Sequence, residues 1–397
     1  MVIAEADGRA CGAAMPDEIR HLDFIDALRG IAAAAVALIH ISQAVEQLPA
    51  WIQRFAAYGQ YGVQLFFLAS ALTLFLSLEQ RSKKDRRPAV AFLIRRFFRI
   101  APLFWAAILV YTAIHGLAPR YWSPQGISGW QIAATAGFMH GWTPASIDSV
   151  VPGGWSIAVE MNFYLLVPLL YRWIKNLRHA VMCFLITLVT GVVASLVVGR
   201  LLYGCMPPER QYLIGGFTYF WLPAQLPVFA LGIVLYAVLG VRRQEAGPAE
   251  DRKWGALLLL LGGYVFTAFF WRSNLHILLP QQVMAGVSFF LLAWGLSLYP
   301  TALLVNPVTL YLGRISYSVY LCHFAVLDGT VWLLGRVPAL SAASPATRFA
   351  AVLTLTGLGT LLIATLTYHG IEVPGRKLGK WVIRRWIERE RVGGAAG

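Results

Sequence analysis

The sequence predicts an all-α, polytopic transmembrane helix bundle of about ten spans, with both termini in the cytosol. Three observations lead there. Of 397 residues, 58% are hydrophobic and 13% charged, about half the ~25% charged share of an ordinary soluble domain. The apolar residues fall in blocks near the ~20 residues that cross a bilayer core as a helix. The basic residues gather on alternate connections between those blocks.

The expected spans run near 27–45, 61–79, 98–116, 155–173, 180–200, 217–239, 254–271, 283–299, 311–334 and 349–370. Pro102 and three arginines crowd the start of the third. The stretch 130–142 (WQIAATAGFMHGW) is too short to cross and reads as re-entrant or interfacial. Residues 1–23 carry Glu5, Asp7, Asp17, Glu18 and Asp23. A secretory signal needs a basic start and an apolar core there, so this segment reads as a cytosolic leader. Residues 24–377 form one membrane domain, and 378–397 a basic cytosolic tail.

With the N-terminus in the cytosol, the cytosolic segments hold 25 of the 33 Lys and Arg residues and the outer segments 7, with Arg29 inside the first span. That asymmetry sets the orientation and accounts for the net charge of +14. It also argues against nucleic-acid binding, because the basic residues stand where helices leave the bilayer. Cys11, Cys183, Cys205 and Cys322 show neither disulfide nor metal-ligand spacing, and no metal is expected. The long outer loop 117–154, rich in Trp, Pro, Gly and Ser, suits a lid or a substrate-facing surface.

Ionisable residues inside spans are costly, about 2.5–3.5 kcal/mol each on insertion scales, and so mark candidate sites. Arg29 and His40 share the first helix (DALRGIAAAAVALIH), about three turns apart on a similar face, with alanines between them that let a helix or slender ligand approach. Headgroup anchoring and a core histidine are the plain alternatives. Ser70 in QLFFLASALTLF bonds either its own helix or a substrate. In FLIRRFFRIAPLFW, Arg96 and Arg99 share a helix face beside Arg95. Two guanidiniums there suit a phosphate, or else anchor anionic lipid. Glu160, five residues after Trp155, is expected about 7 Å below the outer surface. His323 lies as deep in its span as His40 does in the first, preceded by Ser316, Tyr317 and Tyr320. Glu372, in TYHGIEVPGRKLG, is placed to pair with an arginine.

Taken in order, these segments resemble the acyltransferase 3 family of membrane O-acyltransferases, from about Phe24 to Lys377. FIDALRGIAAAAVALIH resembles its first helix, YGVQLFFLASAL its phenylalanine-pair segment and RRFFRI its basic-x-x-Arg motif. GGWSIAVEMNFYLLVPLL resembles its Trp-Ser-x-x-x-Glu segment; ISYSVYLCHF and YHGIEVPGRK resemble its last two signatures. Ala71 stands where the family often has glycine, and Met161 and Asn162 follow the glutamate where an acidic residue or Gln is common. The SGNH-type hydrolase domain that many relatives carry after the last helix is not recognisable.

The resemblance implies a bacterial inner-membrane enzyme. It implies transfer of an acyl group, most often acetyl, from cytosolic acyl-CoA to a hydroxyl of a surface glycan or glycolipid. No permanently bound cofactor is implied. Arg96 and Arg99 would hold the CoA phosphates and Arg29 would guide the donor. His40 would be general base or acyl carrier, oriented by Glu160. Ser70, Trp155, Tyr317 and His323 would be substrate or oxyanion contacts. A polysaccharide or glycolipid transporter is the competing reading, since Arg, His and Glu also mark transport paths. The cytosolic arginine motif favours the enzyme.

Overall fold

A computed structural model describes residues 17–242, 248–271, 279–338 and 343–388. They form helices joined by short connections, with a single isolated bridge, Arg120 to Ser123, and no strand. The helices are α1 (Asp17–Gln43), α2 (Ala50–Ala57), α3 (Gly62–Ser82), α4 (Pro88–His115), α5 (Gly129–Ala136), α6 (Trp155–Trp173), α7 (Leu177–Cys205) and α8 (Tyr212–Phe220). They continue as α9 (Leu222–Arg242), α10 (Pro248–Trp271), α11 (Gln281–Leu298), α12 (Pro307–Arg314), α13 (Ser316–Leu334), α14 (Pro345–Thr367) and α15 (Val373–Ile383).

Among the described residues, eight helical segments are long and apolar enough to cross a membrane. The two further expected spans, 155–173 and 254–271, also form helices, as α6 and α10. The exposed large side chains are mostly aliphatic and lie along these helices, for example Leu185, Val189 and Leu196 on α7, as a lipid-facing surface requires. The chain is a multi-pass membrane protein. Most of the expected leader, residues 1–16, and the tail beyond 388 lie outside the described residues, as does Arg272; the helix has already begun at Asp17.

Three expected elements differ in form. The third span begins ten residues early, because Pro88 occupies the first turn of α4, where its missing N–H costs nothing. Pro102 is carried inside this helix. Gly375 packs beside it, since a Cβ there would meet Phe98 O at 2.6 Å and Pro102 Cγ at 3.0 Å. The expected 217–239 span is two helices, broken at extended Trp221, with Pro223 in the first turn of the second. The expected 311–334 span is broken at Ile315. Gly313 just before that break lets α12 touch α1: a Cβ there would lie 1.9 Å from Asp26 O.

The 130–142 stretch is the eight-residue α5 followed by a loop tucked into the bundle. Residues Ile147, Val150 and Val151 of that loop are buried. The loop delivers α6 to the bundle from inside. Trp155, its first residue, packs edge-on against Phe67 of α3 with ring centroids 6.0 Å apart.

Candidate active site

The buried start of α6 decides the depth of Glu160. Sequence spacing places it just below the outer surface; instead it meets Ser70, about 12 Å along α3 from Gly62. Its Oε1 accepts from Ser70 Oγ at 2.5 Å and from Tyr164 OH at 2.5 Å. Tyr164 lies one turn further along the same helix, at a spacing that brings side chains together. That spacing is the signal by which Tyr164, absent from the sequence-derived site, was findable.

Three guanidiniums surround this carboxylate closely enough for their charges to interact: Arg29 of α1 and Arg96 and Arg99 of α4. Arg29, Arg99, Ser70, Glu160, Tyr164 and Tyr317 line one narrow cavity of about 40 Å³, which Ser156, Phe66 and Tyr320 also line. Arg96 does not line it. Its guanidinium lies 5.7 Å from the ring centres of both Phe92 and Tyr164. Arg99 Nε is 4.0 Å from Glu372 Oε1 and donates no hydrogen bond to a described residue. Glu372 itself is buried in a π-turn (Tyr368–Glu372), 4.0 Å from Arg376 and 3.4 Å from Ser318 Oγ. The expected pairing of Glu372 with arginine is therefore present.

Tyr317 OH donates to Ile100 O at 2.7 Å. Tyr320 OH donates to Gly153 O at 2.9 Å and accepts from Ser156 Oγ at 2.8 Å, which ties α13 to the tucked loop. Gly153 has φ +73, a left-handed conformation glycine adopts freely. Trp155, expected at the substrate, is instead stacked on Phe220 at 4.3 Å and does not line the cavity.

Beyond Tyr320 the two candidate histidines lie together. The His40 and His323 ring centroids are 5.4 Å apart, and Phe324 packs against both, at 4.3 and 4.2 Å. His323 is buried; its Nδ1 lies 2.7 Å from Tyr320 O, and a carbonyl only accepts, so Nδ1 carries the proton. Its Nε2 is then an unprotonated acceptor with no hydrogen-bond partner. His40 Nδ1 lies 3.2 Å from Gln43 Oε1 by the same logic. His40 thus faces α13 rather than lipid. The expected pairing of His40 with Glu160 is not formed, because the depth of α6 commits that carboxylate to Ser70 and Tyr164. His40 also does not line the Arg29 cavity, from which Tyr320 and His323 separate it.

A helix bundle that gathers a carboxylate and three guanidiniums at its centre, with two histidines beyond, holds a functional site inside the membrane. The family comparison agrees in kind. A family model described as an acyltransferase domain matches residues 22–369, and the chain belongs to this acyltransferase 3 family. It is 26% identical over 348 residues to acyltransferase MdmB of Streptomyces mycarofaciens, covering 79% of this chain and 81% of that one. It is 28% identical over 349 residues to exopolysaccharide production protein ExoZ of Rhizobium meliloti, covering 85% and 94%. A Staphylococcus aureus protein provisionally named an O-acetyltransferase is 22% identical over 395 residues, covering 91% of this chain and 58% of its own length. No solved structure matches the chain. The protein is an acyltransferase.

Proposed function

We propose that the protein transfers an acyl group, acetyl in the first instance, from acyl-CoA to a hydroxyl of a glycan or glycolipid, in a bacterial inner membrane. The observation that carries this reading is that Arg29 and Arg99 line one narrow cavity, with Arg96 one turn before Arg99 on α4. Arg29 and Arg96 make no hydrogen bond or ion pair to a described residue and Arg99 only a loose one, so their donors remain for a polyanion. The cavity of about 40 Å³ has room for roughly three waters, so as it stands it takes no more than the acyl end of a donor. The nucleotide end then stays on the Arg96 side, and the thioester points past Glu160 toward Tyr320. The names of the two relatives linked to O-acetyl transfer and exopolysaccharide production are in keeping with an acetyl donor and a glycan acceptor.

On this reading an acceptor hydroxyl arrives at the His40 end. An imidazole Nε2, of His40 or of His323 behind it, takes its proton as the oxygen attacks the thioester carbonyl. The carbon–sulfur bond breaks, the CoA thiolate leaves and takes up that proton, and the ester and free CoA result. Tyr320 and Ser156 stand between cavity and histidines with their hydroxyl protons already given to Gly153 O and Tyr320 OH, so they shape this boundary rather than bind the carbonyl oxygen. Glu160 balances the guanidiniums and holds Ser70 and Tyr164 rather than a histidine.

The test is direct. Purified protein in lipid nanodiscs should bind acetyl-CoA and release CoA when given an acceptor. Cells with the gene should carry acetyl esters on a surface glycan that a deletion strain lacks, read by mass spectrometry. Absence of acetyl-CoA binding, with unchanged glycans on deletion, would overturn the reading.

A further inference from the structure

The last membrane helix continues past the length a bilayer needs. One helical run extends from Pro345 to Ile387, 43 residues. The 23 residues of α14 alone cover about 35 Å, enough for a hydrocarbon core of ~30 Å. α15 therefore begins where the core ends, on the side that the charge asymmetry assigns to the cytosol.

α15 and the turn after it (Arg384–Glu388) present three faces. Gly375, Gly379 and Ile383 are buried against α4: a Cβ on Gly379 would lie 2.9 Å from Phe98 Cβ, and Ile383 packs with Ala91. Lys377, Lys380 and Arg384 are exposed and follow one another at three- and four-residue spacing, which puts them in one row. Leu378 and Trp381 form a neighbouring exposed apolar row, with the Arg385 guanidinium 5.2 Å from the Trp381 ring centre. Residues 373–387 hold five basic side chains and no acidic one.

Like charges at that spacing repel, and Lys377, Lys380 and Arg384 form no ion pair with a described residue. An anion laid along the row removes the repulsion. A soluble acidic partner would do so and leave Leu378 and Trp381 in water. The edge of a bilayer answers both rows at once, since phosphates meet the cations while an indole and a leucine reach the acyl boundary.

We propose that α15 docks on the anionic headgroups of the cytosolic leaflet: Lys377, Lys380 and Arg384 meet lipid phosphates, and Leu378 and Trp381 dip between the chains. The docking needs neither the acyl donor nor the acceptor, so it stands apart from the function proposed above.

Hydrogen–deuterium exchange reads this surface directly, on the full chain in nanodiscs of phosphatidylcholine alone or mixed with phosphatidylglycerol. Backbone amides of 373–387 should exchange at least about tenfold more slowly in the phosphatidylglycerol discs, because three cations each gain at an anionic surface. About 0.5 M salt should erase the difference. The exposed-site variant Lys377→Gln/Lys380→Gln/Arg384→Gln should exchange alike in both discs, whereas Lys83→Gln/Lys84→Gln, on the same side of the membrane, should behave as wild type. Amides of α7, equally protected in every sample, report that each variant is folded. Equal exchange of wild type in the two discs overturns the proposal, and so does slowing that survives in the triple variant. Slowing in phosphatidylcholine discs on adding free CoA or RNA would give the surface to a soluble polyanion and overturn it as well.

Discussion

Ser70 Oγ donates to Glu160 Oε1 at 2.5 Å across the interface of α3 and α6. The bond fixes the carboxylate at the centre of the bundle, among three guanidiniums and away from both histidines.

Removing that carboxylate should cost folding before it costs chemistry. Glu160→Ala leaves Arg29, Arg96 and Arg99 without their shared counter-charge, a penalty of roughly 3 kcal/mol for an uncompensated buried charge. Glu160→Gln keeps an acceptor for Ser70 and Tyr164 and should fold better than the alanine variant. Thermal unfolding of both, followed by size-exclusion chromatography, checks this. Equal stability of the alanine variant and wild type would mean that the charges are balanced elsewhere.

Arg96 offers the cleaner test of donor binding. Its guanidinium lies over the Phe92 and Tyr164 rings and forms no ion pair with a described residue, so Arg96→Ala should spare the fold while weakening acetyl-CoA binding by about 10–100-fold. Arg99→Ala should weaken binding too, but it also leaves buried Glu372 with Arg376 alone and should lower the melting temperature. Unchanged binding in both variants would make the motif a lipid anchor.

The two histidines should separate by role. His40→Ala is expected to abolish transfer and retain acetyl-CoA binding, because it does not line the arginine cavity. His323→Ala should also impair transfer, through loss of the ring that packs on His40. Full activity without His40 and none without His323 would make His323 the base.

The tucked loop should give opposing pH dependences. Burial pushes the Asp148 carboxyl up to about 7, its nearest backbone donor being Trp155 N–H at 3.5 Å. Burial pushes His140 down to about 4, with Gly154 O accepting from its Nε2–H at 2.9 Å. A carboxyl raised on folding destabilises progressively as pH rises from ~4 toward 7; a histidine lowered on folding destabilises as pH falls from ~6.5 toward 4. The two partly cancel in the wild type. Asp148→Asn should therefore lose stability steeply on acidification, and His140→Phe should lose it as pH rises to 7. Melting temperatures between pH 4 and 8 would show the slopes diverging; parallel slopes would refute the assignment.

Orientation is checked by reporter fusions. Fusions after residues 80 and 176 should report cytosol, and those near 50 and 207 the outside. An outer location for residues 81–87 would put the arginine end of the cavity on the wrong side for CoA.

The sequence by itself determined the membrane class, the helix content and the residues worth watching. Composition and block length suffice for the first two, because a bilayer demands long apolar helices. The cost of an ionisable group in lipid singled out Arg29, His40, Arg96, Arg99, Glu160 and His323 before any packing was known. What sequence did not decide was which of them meet. Axial depth was counted from the ends of presumed spans, and α6 does not start at the membrane surface: the tucked loop lowers Trp155 to the level of Phe67. That shift, invisible to periodicity, gives Glu160 to Ser70 and Tyr164 and leaves His40 to His323.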